Sequence, residues 1–233
     1  MTEQTIIDQK VAVPSYFYPG PLWTTMEGGF PTVGLAIINP DSGPGTSPDL
    51  NYANQVTYTK AAGITVVCYV STSYAGTLNP SRTLEAAKLD VDKYYSWYPG
   101  IDGIFVDEVS TDCGKLDYYR GLYDRIKMVG GQNARIVLNS GTNIAECYMS
   151  VGDIIVNFED AYSNYVNWVP KDWVWNYSAS RFWHIVHGTS QDNLPQVVEL
   201  SRKRNAGWVY VTDKGGDNPY DTLPSYWCYE LSL

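Results

Sequence analysis

Short β-branched and aromatic runs recur along the whole chain, at Val11–Tyr18, Thr32–Asn39, Ile64–Ser71, Gly103–Val109, Ala134–Ser140, Asp153–Glu159, Arg181–His187 and Gly207–Asp213. Most are continuous apolar stretches rather than alternating ones, the pattern of strands buried on both faces of a parallel sheet. The segments between them are mostly helical in character. Leu50–Ala62 ends at Gly63, Arg82–Trp97 before Pro99-Gly100, Lys115–Val129 at Gly130-Gly131, and Leu194–Asn205 before Gly207. Strand starts follow one another at about 28 residues on average, the length of one βα unit. Eight such alternations predict a single-domain (β/α)8 TIM barrel of class α/β over residues 11–233, preceded by a disordered or tag-like segment over 1–10. A doubly wound sheet is the alternative. It would carry a Gly-rich phosphate loop after its first strand, where this chain has Tyr16-Phe17-Tyr18-Pro19-Gly20-Pro21.

A barrel of this kind builds its active site at the C-terminal ends of its strands, so the last residue of each run is the one to read. In chain order these are Tyr18, Asn39, Ser71 with Thr72, Asp107 with Glu108, Asn139 with Ser140, Glu159 with Asp160, His187, and Thr212 with Asp213. Polarity is thus concentrated where the fold would place a site. The sharpest element is Gly103-Ile-Phe-Val-Asp-Glu-Val109, in which two acids end an apolar strand, and Glu159 ends Ile154-Ile-Val-Asn-Phe-Glu159 in the same way. A buried carboxylate is costly unless paired or working. Strands separated by one neighbour lie about 9.5 Å apart, so side chains from the fourth and sixth can meet on one sugar ring. Glycoside hydrolysis uses such a pair, one carboxylic acid to protonate the leaving oxygen and one carboxylate to attack or to activate water. Asp107 is expected as nucleophile or base, Glu159 as general acid, and Glu108, on the opposite face of its strand from Asp107, as a positioning or alternate carboxylate. Helix capping is the competing explanation for any one of these acids taken singly. Tyr18, Asn39, Asn139, Trp175, His187, Tyr210 and Asp213 are the expected substrate-binding residues. The series Trp168, Trp173, Trp175 and Tyr177, with Trp208 and Tyr210, supplies either stacking platforms or packing over the barrel rim.

Composition narrows the ligand. Asp and Glu outnumber Lys and Arg by 25 to 16, a net charge of -9 that repels phosphate backbones, so nucleic acid is not an expected partner. Of 33 aromatic rings, 28 are Tyr or Trp, which suits a half-wet groove for a polysaccharide or oligosaccharide. No stretch approaches the ~18 apolar residues of a membrane span. The two histidines, His184 and His187, cannot complete a three-ligand zinc site, and neither metal nor cofactor is expected. His184 reads as a hydrogen-bonded barrel residue. Serine chemistry lacks its G-x-S-x-G elbow, and the Lys214-Gly215-Gly216 turn, flanked by Asp213 and Asp217, reads as a turn rather than a phosphate site. Of the four cysteines, Cys68 is expected as a buried thiol. Cys113 and Cys147 could pair only if their Cα atoms come within about 7 Å, and that pairing is not favoured. The opening MTEQTIIDQK contains no apolar core of a secretion signal.

Taken together, Val13-Pro-Ser-Tyr-Phe-Tyr-Pro-Gly20 with Trp23, the strand Gly103–Val109, Glu159 in Asn-Phe-Glu, the strand Trp208–Asp213 and the stretch Asn218-Pro-Tyr-Asp-Thr-Leu-Pro-Ser-Tyr-Trp227 resemble the spherulin-4 family over nearly the whole chain. The resemblance implies a barrel grouped with glycoside hydrolase family 135, in which a fungal member degrades galactosaminogalactan. It implies endo-cleavage of an α-1,4-linked galactosamine or N-acetylgalactosamine polymer, with the family's Asp-Glu pair on Asp107 and Glu108 and its second Glu on Glu159. It also implies an extracellular or cell-surface location. A non-catalytic glycan-binding module on the same barrel is the alternative function.

Overall fold

A computed structural model describes residues 8–233. Eight parallel strands close on themselves in sequence order: β1 (Lys10–Val13), β2 (Val33–Ile38), β3 (Thr65–Ser71), β4 (Gly103–Asp107), β5 (Arg135–Asn139), β6 (Ile154–Ala161), β7 (Phe182–His187) and β8 (Trp208–Val211). The predicted (β/α)8 barrel is therefore the fold, with its strands at the predicted places. Of the expected N-terminal segment, residues 1–7 lie outside the described residues. Gln9 and Lys10 belong to the barrel: the Gln9 side chain donates to Ser201 and to the Ala206 carbonyl, and Lys10 opens β1.

Strands β1, β4 and β8 end two or more residues before their predicted runs, the first two each for a local reason. β1 stops at Val13 because Pro14 has no N–H to continue the ladder. β4 stops at Asp107 because Glu108 adopts φ +55°, a left-handed conformation that breaks the strand.

The helices depart from strict alternation. Long helices follow β2, β3, β4 and β7: α2 (Leu50–Ala61), α4 (Leu84–Trp97), α5 (Leu116–Gly130) and α7 (Leu194–Lys203). Asp49 and Thr83 cap α2 and α4 by accepting from the Asn51 and Ala86 amides. In α7, Leu194, Val197, Val198 and Ser201 form the buried stripe at i, i+3, i+4 and i+7. After β1 stands only the seven-residue α1 (Pro21–Glu27), after β3 comes an extra four-residue turn, α3 (Ser73–Gly76), and β6 is followed by the short α6 (Tyr162–Tyr165). The β5–β6 connection carries no α-helix, only the 3-10 turn Glu146–Ser150. The expectation of eight helices fails there, although Ile144, Tyr148 and Val151 of this connection are buried.

Large side chains fill the barrel interior, including Phe105, Trp183 and Tyr210, all fully buried, with Phe105 and Trp183 packed edge to face. At the join between β8 and β1 the pairing extends only over Lys10↔Trp208 and Val11↔Val209. Beyond it, the Val211 amide donates to Oε1 of Glu230, on the terminal helix α8 (Trp227–Glu230), at 2.8 Å. A buried carboxyl group takes the place of the strand that Pro14 turned away.

Disulfide pairing of Cys113 with Cys147 corrects the sequence expectation. Their Cα atoms lie 6.2 Å apart, the bond tying the loop after β4 to the connection after β5. Cys68 is a buried free thiol, as expected.

Candidate active site

Three strand ends converge at the C-terminal mouth. Asn139, the last residue of β5, lies between Asp107 of β4 and Glu159 of β6, and its side-chain Nδ2 donates to both, at 2.7 Å to Asp107 Oδ1 and 2.5 Å to Glu159 Oε2. Its orientation is fixed from the other side, where Oδ1 accepts from the Gly141 amide at 2.9 Å. Gly141 turns back at φ +65°, a conformation that favours glycine, and its carbonyl accepts from the Glu159 amide at 2.9 Å. One tight turn thus sets both the amide and one of the acids. The two bridged oxygens are no more than about 5.2 Å apart, the limit set by the 2.7 and 2.5 Å bonds to one nitrogen, closer than the roughly 6.5–9.5 Å of an inverting pair.

Each carboxylate has a second donor. The Tyr69 hydroxyl donates to Asp107 Oδ2 and the Tyr220 hydroxyl to Glu159 Oε1, both at 2.6 Å. Tyr16 stands edge-on between these rings, 5.7 Å from each. Burial, followed by the nearby Glu159, pushes the Asp107 carboxyl up to about 6, against the opposing bond from Tyr69. Burial and the carboxylates likewise hold Tyr16, Tyr69 and Tyr220 in their protonated, donor forms.

A cleft of about 520 Å³ opens above the pair, lined by Tyr16, Asn39, Asp41, Tyr69, Asp107, Glu159, Asp217 and Tyr220 among others. Four acids and no Lys, Arg or His line it. A larger cleft of about 800 Å³ lies at the opposite end of the barrel, among the first residues of the strands, Lys10, Thr65, Arg135 and Trp208. It contains none of the converging acids, so the chemistry belongs to the smaller one.

The other expected site residues divide. Asn39 lines the cleft and accepts from the Gly43 amide. Asn139 is buried beneath the acids rather than exposed to a ligand. Tyr18 points away: it is exposed and bonds Asp49 and Asn51 at the start of α2, while Tyr16 takes the place at the mouth. His187 faces Asp160 at 4.0 Å, and Asp213 accepts from the Ser225 amide to pin the C-terminal loop. Tyr210 is fully buried and supports Tyr220 from below. The tryptophan series does not form a groove over the acids. Trp168 packs on Phe158, Tyr165 and His184, Trp173 packs on Phe182 at the start of β7, and Tyr177 and Trp208 line the opposite cleft. Trp175, half-exposed in the 3-10 turn Asp172–Asn176, belongs to the same crossing toward the far end of the barrel. His184 is a buried barrel residue bonded to the Tyr165 hydroxyl, as expected, and burial lowers its pKa to about 3. The three mouth tyrosines were missed because Tyr69 lies inside its strand and Tyr16 and Tyr220 in loops. The alternation Tyr69-Val-Ser71, which puts Tyr69 on the face of the interior residues, was the available signal.

The family model described as Spherulation-specific family 4 matches residues 10–232. The chain belongs to the Spherulin-4 family. Spherulin-4 of Physarum polycephalum is 37% identical to this family member over 235 residues, covering 96% of this chain and 69% of that protein. Among solved structures, Aspergillus clavatus Sph3 in complex with GalNAc superposes with a TM-score of 0.83 at 25% identity, over 96% of each chain. A β-glucuronidase from Ruminococcus gnavus shares the fold alone, at 10% identity and a TM-score of 0.60, over 96% of this chain and 49% of that one. The Spherulin-4 family chain is thus a glycoside-hydrolase-like barrel. Among the described residues, no helix is long and apolar enough to cross a membrane.

Proposed function

We propose that this chain is an endo-acting glycoside hydrolase that cleaves an α-1,4-linked galactosamine or N-acetylgalactosamine polysaccharide through Asp107 and Glu159. The bridging of both carboxylates by Asn139 carries this reading, because it holds two acids together with oxygens closer than an inverting pair would keep them. Asp107, with its raised proton affinity, is the proton carrier: it protonates the glycosidic oxygen while Glu159 attacks the anomeric carbon. In the second half-reaction Asp107 takes a proton from the water that releases the sugar from Glu159. These roles reverse the sequence expectation, the reason being the raised proton affinity of Asp107. The acid-only lining accepts neutral or cationic sugars and disfavours anionic ones. Relationship to a protein solved with GalNAc supports an amino sugar as the unit bound. The disulfide supports an extracellular or cell-surface location.

The test is incubation of the wild type and Glu159→Gln with acetylated and de-N-acetylated galactosamine polymers, followed by mass spectrometry of the products. Oligosaccharides from the wild type alone are expected, and a Glu159→Gln variant with full activity would remove that residue from the mechanism. Products formed early should keep the anomeric configuration of the bond cleaved, as read by proton NMR, whereas inversion would overturn the double displacement.

A further inference from the structure

Glu108 follows Asp107 directly, yet its side chain is not among those lining the cleft. Its φ of +55° turns it out of the strand, and Oε2 accepts from the Ser71 hydroxyl and, at 3.1 Å, from the Ser73 amide. Its carbonyl accepts from the Tyr74 amide at 2.7 Å and from the Thr72 hydroxyl at 2.9 Å. Both its side chain and its backbone therefore grip the loop after β3.

That loop is strained. Ser73, Tyr74, Ala75 and Gly76 have φ of 48°, 55°, 56° and 76°, four successive left-handed residues of which only one is glycine. Such a turn persists only where its surroundings over-determine it, and such strain gathers at functional sites. Besides Glu108, the turn is closed by the Gly76 amide on the Thr72 carbonyl at 2.9 Å and by the Asn79 amide on Ser73 Oγ at 3.0 Å. Behind it, the Arg82 guanidinium binds the Ser71 carbonyl and Asp90. The outcome is an aromatic ring, Tyr74, held part-exposed on the mouth side of the barrel, outside the residues that line the cleft over the acids. Its hydroxyl is pushed up by burial and then by the fields of Glu108, Asp107 and Glu159, consistent with its place beside them.

We propose that Glu108 is a positioning residue rather than a catalytic one, holding the left-handed turn Ser73–Gly76 so that Tyr74 serves as a stacking platform for the sugar unit next to the cleaved bond. One face of a pyranose presents C–H groups that pack on an aromatic ring, and a tyrosine rim position keeps its polar tip in water. The proposal rests on the glycosidase reading of the mouth. It gives the two neighbouring acids separate tasks, chemistry for Asp107 and architecture for Glu108.

The experiment measures kcat and KM on the galactosamine polymers for the wild type, Tyr74→Ala, Tyr74→Phe, Glu108→Ala, Glu108→Gln and the Glu108→Ala/Tyr74→Ala double variant. Binding of the same polymers is measured by affinity electrophoresis in a Glu159→Gln background, and thermal melting verifies folding. Tyr74→Ala is expected to raise KM and weaken binding about tenfold with kcat within about threefold, and Tyr74→Phe to restore both. Glu108→Ala, which removes the acceptor of the Ser71 and Ser73 bonds, should raise KM without moving the pH profile, Glu108→Gln, whose amide oxygen still accepts both, should stay near wild type, and the Glu108→Ala/Tyr74→Ala double variant should bind no more weakly than Tyr74→Ala alone. A roughly 1000-fold loss of kcat in Glu108→Gln at unchanged KM would place Glu108 in the chemistry and overturn the proposal. Wild-type binding by Tyr74→Ala would remove the platform. If the folded wild type binds the polymers without cleaving them, the glycosidase reading fails, while loss of binding in Tyr74→Ala still supports the platform. Absence of binding by the folded wild type overturns both.

Discussion

Two regions of the barrel bury a carboxyl group whose proton affinity is raised by its surroundings, and they use it differently. At the mouth, Asp107 is pushed up to about 6 but meets donors on both oxygens, Tyr69 and Asn139, beside a cleft open to a ligand. At the β8–β1 seam, Glu230 is pushed up to about 8 by burial alone, meets one backbone donor, and lines neither of the two clefts. Burial raises proton affinity in both places. In the proposed mechanism, what makes an acid reactive is a second carboxylate beside it together with room for a substrate. Without these, the same physics yields a structural latch.

The comparison breaks most visibly through mutation of the mouth. Asp107→Asn should lower kcat about 1000-fold while leaving thermal melting nearly unchanged, measured by product release and calorimetry on one preparation. Glu230→Ala should do the converse. Loss of its bond to the Val211 amide and the cavity left in the seam should lower stability by about 2–4 kcal/mol in urea titration, with kcat per folded molecule unchanged.

Acidity sharpens the contrast. Both groups have folded proton affinities above their ordinary values, so each contributes stability that is fully present below the ordinary carboxyl pKa and is lost as pH rises through the folded one. For Glu230 that window runs from about 4.5 to about 8, and Glu230→Gln should flatten the decline of Tm with pH across it. For activity, the proposed mechanism has kcat/KM fall as pH rises through about 6, as Asp107 loses the proton it would deliver. The smallest effect is expected from Tyr69→Phe. Its hydroxyl bond favours ionised Asp107, so its loss should move the descending limb to higher pH and change the plateau rate by less than about tenfold. A limb that stays in place would detach Tyr69 from the acid.

Much of the architecture was legible in the chain. Eight apolar runs at βα spacing specified the barrel, because parallel strands covered on both faces leave an unambiguous mark and their order follows chain connectivity. Asp107 and Glu159 were legible for a related reason: charge at the end of a buried run is costly enough to demand a cause. Other features were set by contacts between residues distant in sequence. The tyrosines at positions 16, 69 and 220 converge on the acids from β3 and two loops, and no local pattern brings position 220 to position 159. The disulfide depended on loops that approach only once β4 and β5 pair. Glu108 reads like Asp107 in sequence. Its left-handed φ, adopted where the loop after β3 offers Ser71 and Ser73 as partners, turned it from the mouth to the turn that carries Tyr74. Local hydrophobic pattern sufficed for the strands because each is decided by burial along its own length. The division of labour among the acids required the folded barrel, because it depends on which donors from elsewhere in the chain meet each carboxylate.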